Sequence, residues 1–241
     1  MKRKTLKTFD NVEIEINCYE NGFDSVLIFM PGWFMTKDSQ CFLEMYKCFE
    51  KNTDVIGMDF RGHGKSGGLY TFTSKEILDV RAVVNFAKEK YKKIYLIGFS
   101  LGASLAILYG SKTKNVDKII AVSPASDFKK IENKFWKKEA WIPTLKKIEL
   151  SRWFSIRASL KILRKIKPID VISKITCPIL FLAGENDPTV YSWHTKKLYE
   201  KAKCEKKYVL FEKCYHAEDL FLMDKEKFLN ICKEWLFLEK D

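Results

Sequence analysis

Histidine is scarce in this sequence, limited to His63, His194 and His216, and the seven cysteines include no C-x-x-C pair. So thin a supply of ligands argues against a zinc site. The cysteines, at 18, 41, 48, 177, 204, 214 and 232, are odd in number and scattered. They read as reduced, mostly buried thiols, not as a disulfide framework. Cys41 and Cys48 lie seven apart, the spacing of one helix face turned to a core. Long apolar runs are missing too. The longest uncharged stretch, Ile94–Ser111, only just reaches the roughly 18 residues of a membrane span. Gly98, Gly102 and Gly110 punctuate it, so it reads as strand, turn and helix. The opening Met1-Lys-Arg-Lys-Thr-Leu-Lys leads into Phe9-Asp10-Asn11 and not into an apolar segment. No secretory signal is expected, and the cytoplasm is the expected location. Repeats and low-complexity tracts are absent.

What is present is globular: 241 residues, 46% hydrophobic and 31% charged. A chain of this length buries roughly 70–75% of its unfolded surface and needs no metal or disulfide to hold it together. The net charge of +12 is concentrated. Between Phe128 and Lys167 stand 13 Lys and Arg against Glu132, Glu139 and Glu149, which is +10 in 40 residues, while the rest of the chain is close to neutral. The segment matches no nucleic-acid-binding motif, so the charge is not read as a DNA or RNA footprint.

Residues 12–19 alternate apolar and polar, the period of a half-buried strand. Short apolar runs follow at Val26–Met30, Val55–Met58, Ile94–Phe99, Ile119–Val122, Ile179–Ala183 and Tyr208–Phe211. Continuous runs of this kind suit parallel strands covered on both faces. Helical stretches lie between and after them, at Ser39–Lys51, Ser74–Tyr91, Ser100–Lys112, Thr189–Lys203 and Asp224–Leu238. The alternation predicts an α/β fold, a mostly parallel central sheet flanked by helices. The rhythm breaks once. Residues 126–172 are basic and tryptophan-bearing, and they predict a small helical lid inserted at the carboxyl edge of a core made of residues 1–125 and 173–241.

Tyr95-Leu-Ile-Gly98-Phe-Ser100-Leu-Gly102-Ala-Ser is an apolar strand, a G-x-S-x-G turn and a small-residue helix. A nucleophile on such a turn needs small neighbours two residues away on either side. The turn then presents the Ser100 hydroxyl at the positive end of a helix. At these residues the chain resembles the α/β-hydrolase family, particularly its lid-bearing serine esterases, lipases and related acyl hydrolases. The likeness covers roughly residues 10–125 and 168–238. It includes Asp59-Phe-Arg-Gly-His-Gly-Lys-Ser66, similar to the family's D-x-R-G-H-G-x-S loop, and Leu182-Ala-Gly-Glu-Asn-Asp187, similar to the stretch that carries its acid.

An acyl-transfer serine needs an imidazole base. His63 lies before the serine in a glycine loop, and His194 falls within a helix pattern, as a surface or half-buried residue. His216 follows the last strand in the order Ser…Asp…His, and is the expected base. For the orienting acid, Asp187 is the first candidate, with Asp127 and Glu185 as competitors. The oxyanion hole calls for two backbone N–H groups. One is that of Leu101. Against the family's usual His-Gly and a third residue, this chain has Pro31-Gly32-Trp33, which makes Trp33 the matching second donor and equally a wall of the acyl pocket. Gly62-His-Gly64-Lys-Ser-Gly67 satisfies G-x-G-x-x-G, but Gly68–Thr73 intervenes before any helix, so it is not read as a dinucleotide site.

Within Leu145–Lys167, Trp153, Ile156, Leu160 and Leu163 follow 3–4–3 spacing, with Arg157, Lys161, Arg164 and Lys165 offset from them. That pattern predicts an amphipathic basic helix. Three roles fit it: a lid helix with a solvated outer face, attraction of an acidic substrate, or peripheral contact with an anionic membrane. Together these features predict a serine hydrolase acting on a small acyl ester, or a related acyl bond, without metal or organic cofactor. Thioesterase, amidase, perhydrolase and acyltransferase chemistry stay open. The rival from another class is a non-catalytic binding protein on the same scaffold.

Overall fold

The computed structural model describes residues 1–131, 155–159 and 166–238. Their strands form one sheet of eight: β1 (Lys2–Lys7), β2 (Glu13–Tyr19), β3 (Ser25–Met30), β4 (Asp54–Met58), β5 (Lys93–Phe99), β6 (Lys118–Val122), β7 (Ile179–Gly184) and β8 (Lys206–Phe211). The order across the sheet is β1-β2-β4-β3-β5-β6-β7-β8. β2 pairs antiparallel with both β1 and β4, and every other pair is parallel. The expected mostly parallel sheet is therefore present. β1 is an addition that the sequence reading did not make. Its Lys-rich, half-exposed residues form an edge strand, and charge of this kind discourages pairing with another chain.

The apolar runs lack alternation because both faces of the sheet are covered. Val26, Ile28 and Met30 of β3 pack into the layer that holds Val80, Val83 and Val84 of α2 (Glu76–Lys88) and Leu105 of α3 (Leu101–Gly110). Leu27 and Phe29, between them, pack into the opposite layer with Phe42 and Met45 of α1 (Gln40–Phe49). α4 (Pro168–Val171) and α5 (Ser192–Lys201) complete the first layer, whereas α6 (Asp219–Met223) and α7 (Lys225–Phe237) complete the second. α3 is buried along its whole length, which explains its run of small and apolar residues without an amphipathic stripe. No described helix is long and apolar enough to cross a membrane.

The long insertion leaves after β6 and returns before β7, two strands that are neighbours in the sheet. Trp136, Trp141, Trp153, Leu160, Lys161, Leu163, Arg164 and Lys165 lie outside the described residues. The expectation of one helix through Trp153 and Leu163 is corrected at Ser155–Ser159, which is not helical. Ala158 forms a parallel bridge with Tyr70. Arg157 N–H donates to Gly62 O at 2.8 Å, and Tyr70 N–H donates to Arg157 O at 2.8 Å. The backbone of this segment bonds to the Gly62–Tyr70 loop and not to its own preceding turn, which removes the helical hydrogen bonds that the 3–4–3 pattern implied.

Candidate active site

Ser100 sits between β5 and α3 with φ 51° and ψ −107°, a strained conformation for a residue with a side chain. The surrounding packing enforces it. A Cβ on Gly98 would lie 2.4 Å from the Gly102 carbonyl, and one on Gly102 would lie 2.0 Å from Met30 O. Glycine at both positions lets β5, α3 and the loop after β3 close on one point. Ser100 N–H donates to Val122 O at 2.8 Å, carrying the β5–β6 ladder up to the turn. Its carbonyl accepts from Ser104 N–H at 3.1 Å.

The loops after β7 and β8 meet Ser100 at this edge. His216 Nε2 is 2.8 Å from Ser100 Oγ, and His216 Nδ1 is 2.6 Å from Asp187 Oδ2. Asp187 Oδ1 accepts from the N–H groups of Thr189 and Val190, both at 2.9 Å. One carboxylate oxygen is thus fixed by backbone, and the other is left for the imidazole. Asp187 is only 3% exposed, so its pairing with His216 is shielded from water. A carboxylate at Nδ1 requires the ring proton on that nitrogen, which leaves the Nε2 lone pair facing the serine hydroxyl. The His216 backbone is held in turn: His216 N–H donates to Asp219 Oδ2 at 3.2 Å, and Ala217 N–H donates to Ser123 Oγ at 3.2 Å. Ser123 and Ala217 both have positive φ, near 50°, so the loops after β6 and β8 turn sharply where they meet.

The loop after β3 passes directly over the nucleophile. A Cβ on Gly32 would be 3.5 Å from Ser100 Cβ and 3.2 Å from Glu218 Oε1. Leu101 is the first residue of α3, and the leading N–H groups of a helix have no intrahelical acceptor. Trp33 follows Gly32. Its ring packs on Phe34 at 4.2 Å, Phe72 at 5.9 Å and Tyr70 at 6.2 Å between centroids. These rings form an aromatic wall beside the Ser100 turn.

Residues 26–152 match the family described as serine aminopeptidase, S33. The chain belongs to it. Curated relatives include an uncharacterized protein, YqkD, of Bacillus subtilis, 30% identical over 182 residues covering 72% of this chain and 59% of that protein. A second is the α/β-hydrolase domain-containing protein WAV2 of Arabidopsis thaliana, 30% identical over 161 residues covering 62% of this chain and 48% of WAV2. The chain thus spans roughly half to three-fifths of the curated relatives it matches. Among solved structures, the Pyrococcus furiosus esterase Pf2001 superposes with a TM-score of 0.81 at 27% identity, over 98% of this chain and 91% of the esterase. The resemblance seen in the elbow and loop motifs is therefore a family membership, and the chain is an α/β-hydrolase.

In this S33-family hydrolase the remaining candidates separate cleanly. Asp127 caps the short turn Phe128–Lys130 through Lys129 N–H at 3.0 Å and pairs with Lys167 at 2.9 Å. Glu185 accepts from Lys213 N–H at 3.0 Å. No hydrogen bond to His216 is seen from either. His63 is 1% exposed, its Nδ1 3.2 Å from Arg61 O, and burial pushes its imidazole down to about 4. It is a neutral structural residue of its loop. His194 departs from expectation: it lies on α5 but is fully buried. Its Nδ1 accepts from Ser126 N–H at 3.2 Å and lies 2.8 Å from Ser126 Oγ. It ties α5 to the start of the insertion.

The D-x-R-G-H-G-x-S loop is organised by charges that the sequence reading did not find. Lys37 Nζ, fully buried, lies 2.6 Å from Glu15, 3.0 Å from Asp38 and 2.9 Å from Asp59. Asp59 also accepts from Lys37 N–H at 2.7 Å. A Cβ on Gly64, at φ 51°, would lie 2.3 Å from Asp59 Oδ2. The buried guanidinium of Arg61 spans Asp79 and Asp10. Spacing could not reveal the pairs of Lys37 with Asp59 or of Arg61 with Asp79 and Asp10, because they join residues about 20 to 50 positions apart.

Proposed function

We propose that this α/β-hydrolase is a serine hydrolase that cleaves carboxylic ester bonds, or related acyl bonds, through an acyl-enzyme. The observation that carries the reading is the unbroken relay from Ser100 through His216 to Asp187, 2.8 and 2.6 Å long, at a strained turn. In the first step Ser100 Oγ attacks the acyl carbonyl while His216 Nε2 takes its proton. The imidazolium is stabilised by Asp187, and the proton then passes to the leaving alcohol. The N–H groups of Leu101 and Trp33 donate to the developing oxyanion. In the second step water, activated by His216, hydrolyses the ester on Ser100.

The esterase Pf2001 supports the choice of an ester, and the description of the S33 family keeps aminoacyl amides as the alternative. The aromatic wall of Trp33, Phe34, Tyr70 and Phe72 favours an apolar acyl or alcohol group. The mechanism uses no metal or organic cofactor, and the proposed site of action is the cytoplasm. The test is a fluorophosphonate probe followed by peptide mapping, then a panel of nitrophenyl acyl esters of graded chain length beside aminoacyl anilides. Labelling of Ser100, loss of labelling in Ser100→Ala and ester turnover at least a hundredfold above the variant are expected. Turnover by Ser100→Ala within tenfold of the parent would overturn the assignment.

A further inference from the structure

β7 and β8 run parallel in a register that pairs Ile179 with Lys206 and Gly184 with Phe211. Cys177 and Cys204 stand in bends two residues before Ile179 and Lys206, at the same end of the two strands. Neighbouring strands lie about 4.8 Å apart, so the backbones leave the first pair at about that separation. That is within the roughly 4.4–6.8 Å between the Cα atoms of bridged cysteines. Both cysteines pack against the layer that contains Ile179, Phe181, Leu198 and Ala202. Ile179 N–H donates to Glu205 O at 3.0 Å, so the two segments are joined close to both cysteines. Both thiols are free and half-exposed. Burial pushes the Cys177 thiol up to about 12, and the neighbouring Cys204 adds to the rise.

We infer that Cys177 and Cys204 are a disulfide-forming pair, which a small-molecule disulfide oxidant closes into a staple between β7 and β8. One thiolate attacks the oxidant RS–SR, forming a mixed disulfide and releasing RS⁻. The second cysteine thiolate then attacks the protein-side sulfur of that mixed disulfide and expels the second RS⁻. The cysteines lose two electrons and two protons, and the oxidant becomes two thiols. The raised pKa of both thiols keeps them protonated, which makes the first attack slow. The same property makes the closed bond resistant to reduction, because the thiolates that must leave are poor leaving groups.

The staple would enclose residues 178–203, a loop that contains Asp187 and α5. It sits at the amino ends of two strands whose carboxyl ends lead to Asp187 and His216. Closure should therefore restrict unfolding of this region and leave the relay geometry alone.

The test incubates the full chain with glutathione disulfide at mildly alkaline pH, alkylates it under denaturing conditions and digests it without reductant. Two fewer alkylatable thiols, a peptide linking Cys177 to Cys204 and a thermal midpoint raised by several degrees are expected, all reversed by dithiothreitol. Cys177→Ser and Cys204→Ser should each abolish the link, and each should retain glutathione on the remaining partner. Seven alkylatable thiols in the treated parent, a link through another cysteine, or glutathione persisting on both residues would overturn the inference.

Discussion

The carbonyl oxygen of Tyr215 occupies the space beside Gly184, only 1.9 Å from where a Cβ would stand. Cys214 O also lies 2.6 Å from that point, so the loop that carries His216 crosses the end of β7 in direct contact with its backbone. Gly184→Ala must therefore displace the His216 loop. Expected are a fall in kcat of tenfold or more, with a smaller change in KM, and a loss of about 1–3 kcal/mol in stability. Ester kinetics and urea unfolding check this. An alanine variant with kcat within twofold of the parent would show that the contact does not position His216.

The two aspartates at the carboxyl ends of β6 and β7 should behave very differently. Asp187→Asn would present an amide to His216 Nδ1 and favour the wrong tautomer, with a loss of roughly four orders of magnitude in kcat. Asp127→Asn keeps a capping oxygen and loses only the pairing with Lys167, so its kcat should stay within threefold. Steady-state kinetics on the two purified variants decide between them, and the reverse ranking would move the acid to the earlier strand.

His63 makes stability depend on pH. Its folded-state ionisation lies at about 4, below the ordinary value of 6.5, because burial disfavours the charged ring. The unfolded chain therefore binds the proton more readily. The contribution is intact above about pH 6.5 and is lost as pH falls toward 4, costing about 2 kcal/mol between pH 7 and 5. In His63→Gln this share of the acid sensitivity should vanish. Urea midpoints of parent and variant at both pH values test it; parallel shifts in the two proteins would contradict the assignment.

Arg157 is no longer interchangeable with the other basic groups of the insertion. Its guanidinium donates to the carbonyls of Ser66 and Ser155, the latter at 2.7 Å, and its backbone is bonded to Gly62. Arg157→Gln should loosen this attachment, seen as faster proteolysis in the insertion at unchanged ionic-strength dependence. Lys161, Arg164 and Lys165 changed together to Gln test the charge itself. If the segment attracts an acidic substrate, kcat/KM falls at low salt and the difference disappears at high salt. If it docks on anionic lipid, binding to anionic vesicles falls instead, at about 1 kcal/mol per group removed. We propose the solvated-face role, for which both measurements are unchanged.

The parts of the fold that could be read in advance are those that repeat a local pattern. Seven of the eight strands coincide with an apolar or alternating run, since burial on one or both faces leaves that mark on consecutive residues. The Ser100 turn was legible because steric crowding demands Gly98 and Gly102. β1 was not, because an exposed edge strand needs no apolar residue, and Lys2–Lys7 carries only Leu6. The helical reading of Ser155–Ser159 was wrong because Ile156 satisfied the period while the backbone of Arg157 and Ser159 was claimed by Tyr70, a partner far away in sequence. His194 was misjudged for a similar reason: its buried ring bonds to Ser126, a partner also far away in sequence. Glu218, near Gly32, and Ser123, which holds the His216 loop, carry no motif at all.

Glu15, Asp38 and Asp59 offer carboxylate oxygens close enough together to hold a metal ion. The ammonium of Lys37 lies among those oxygens. A cation supplied by the chain itself has no dissociation constant and is indifferent to chelators and to the ion content of its surroundings. The loop from Asp59 to Ser66 thereby gains the rigidity of an ion-bound turn without depending on any supply of ions. The same arrangement puts a cation site one substitution away. Exchanging Lys37 for an uncharged residue would leave three acids facing an empty centre, so the position records a choice between a covalently tethered charge and a borrowed one.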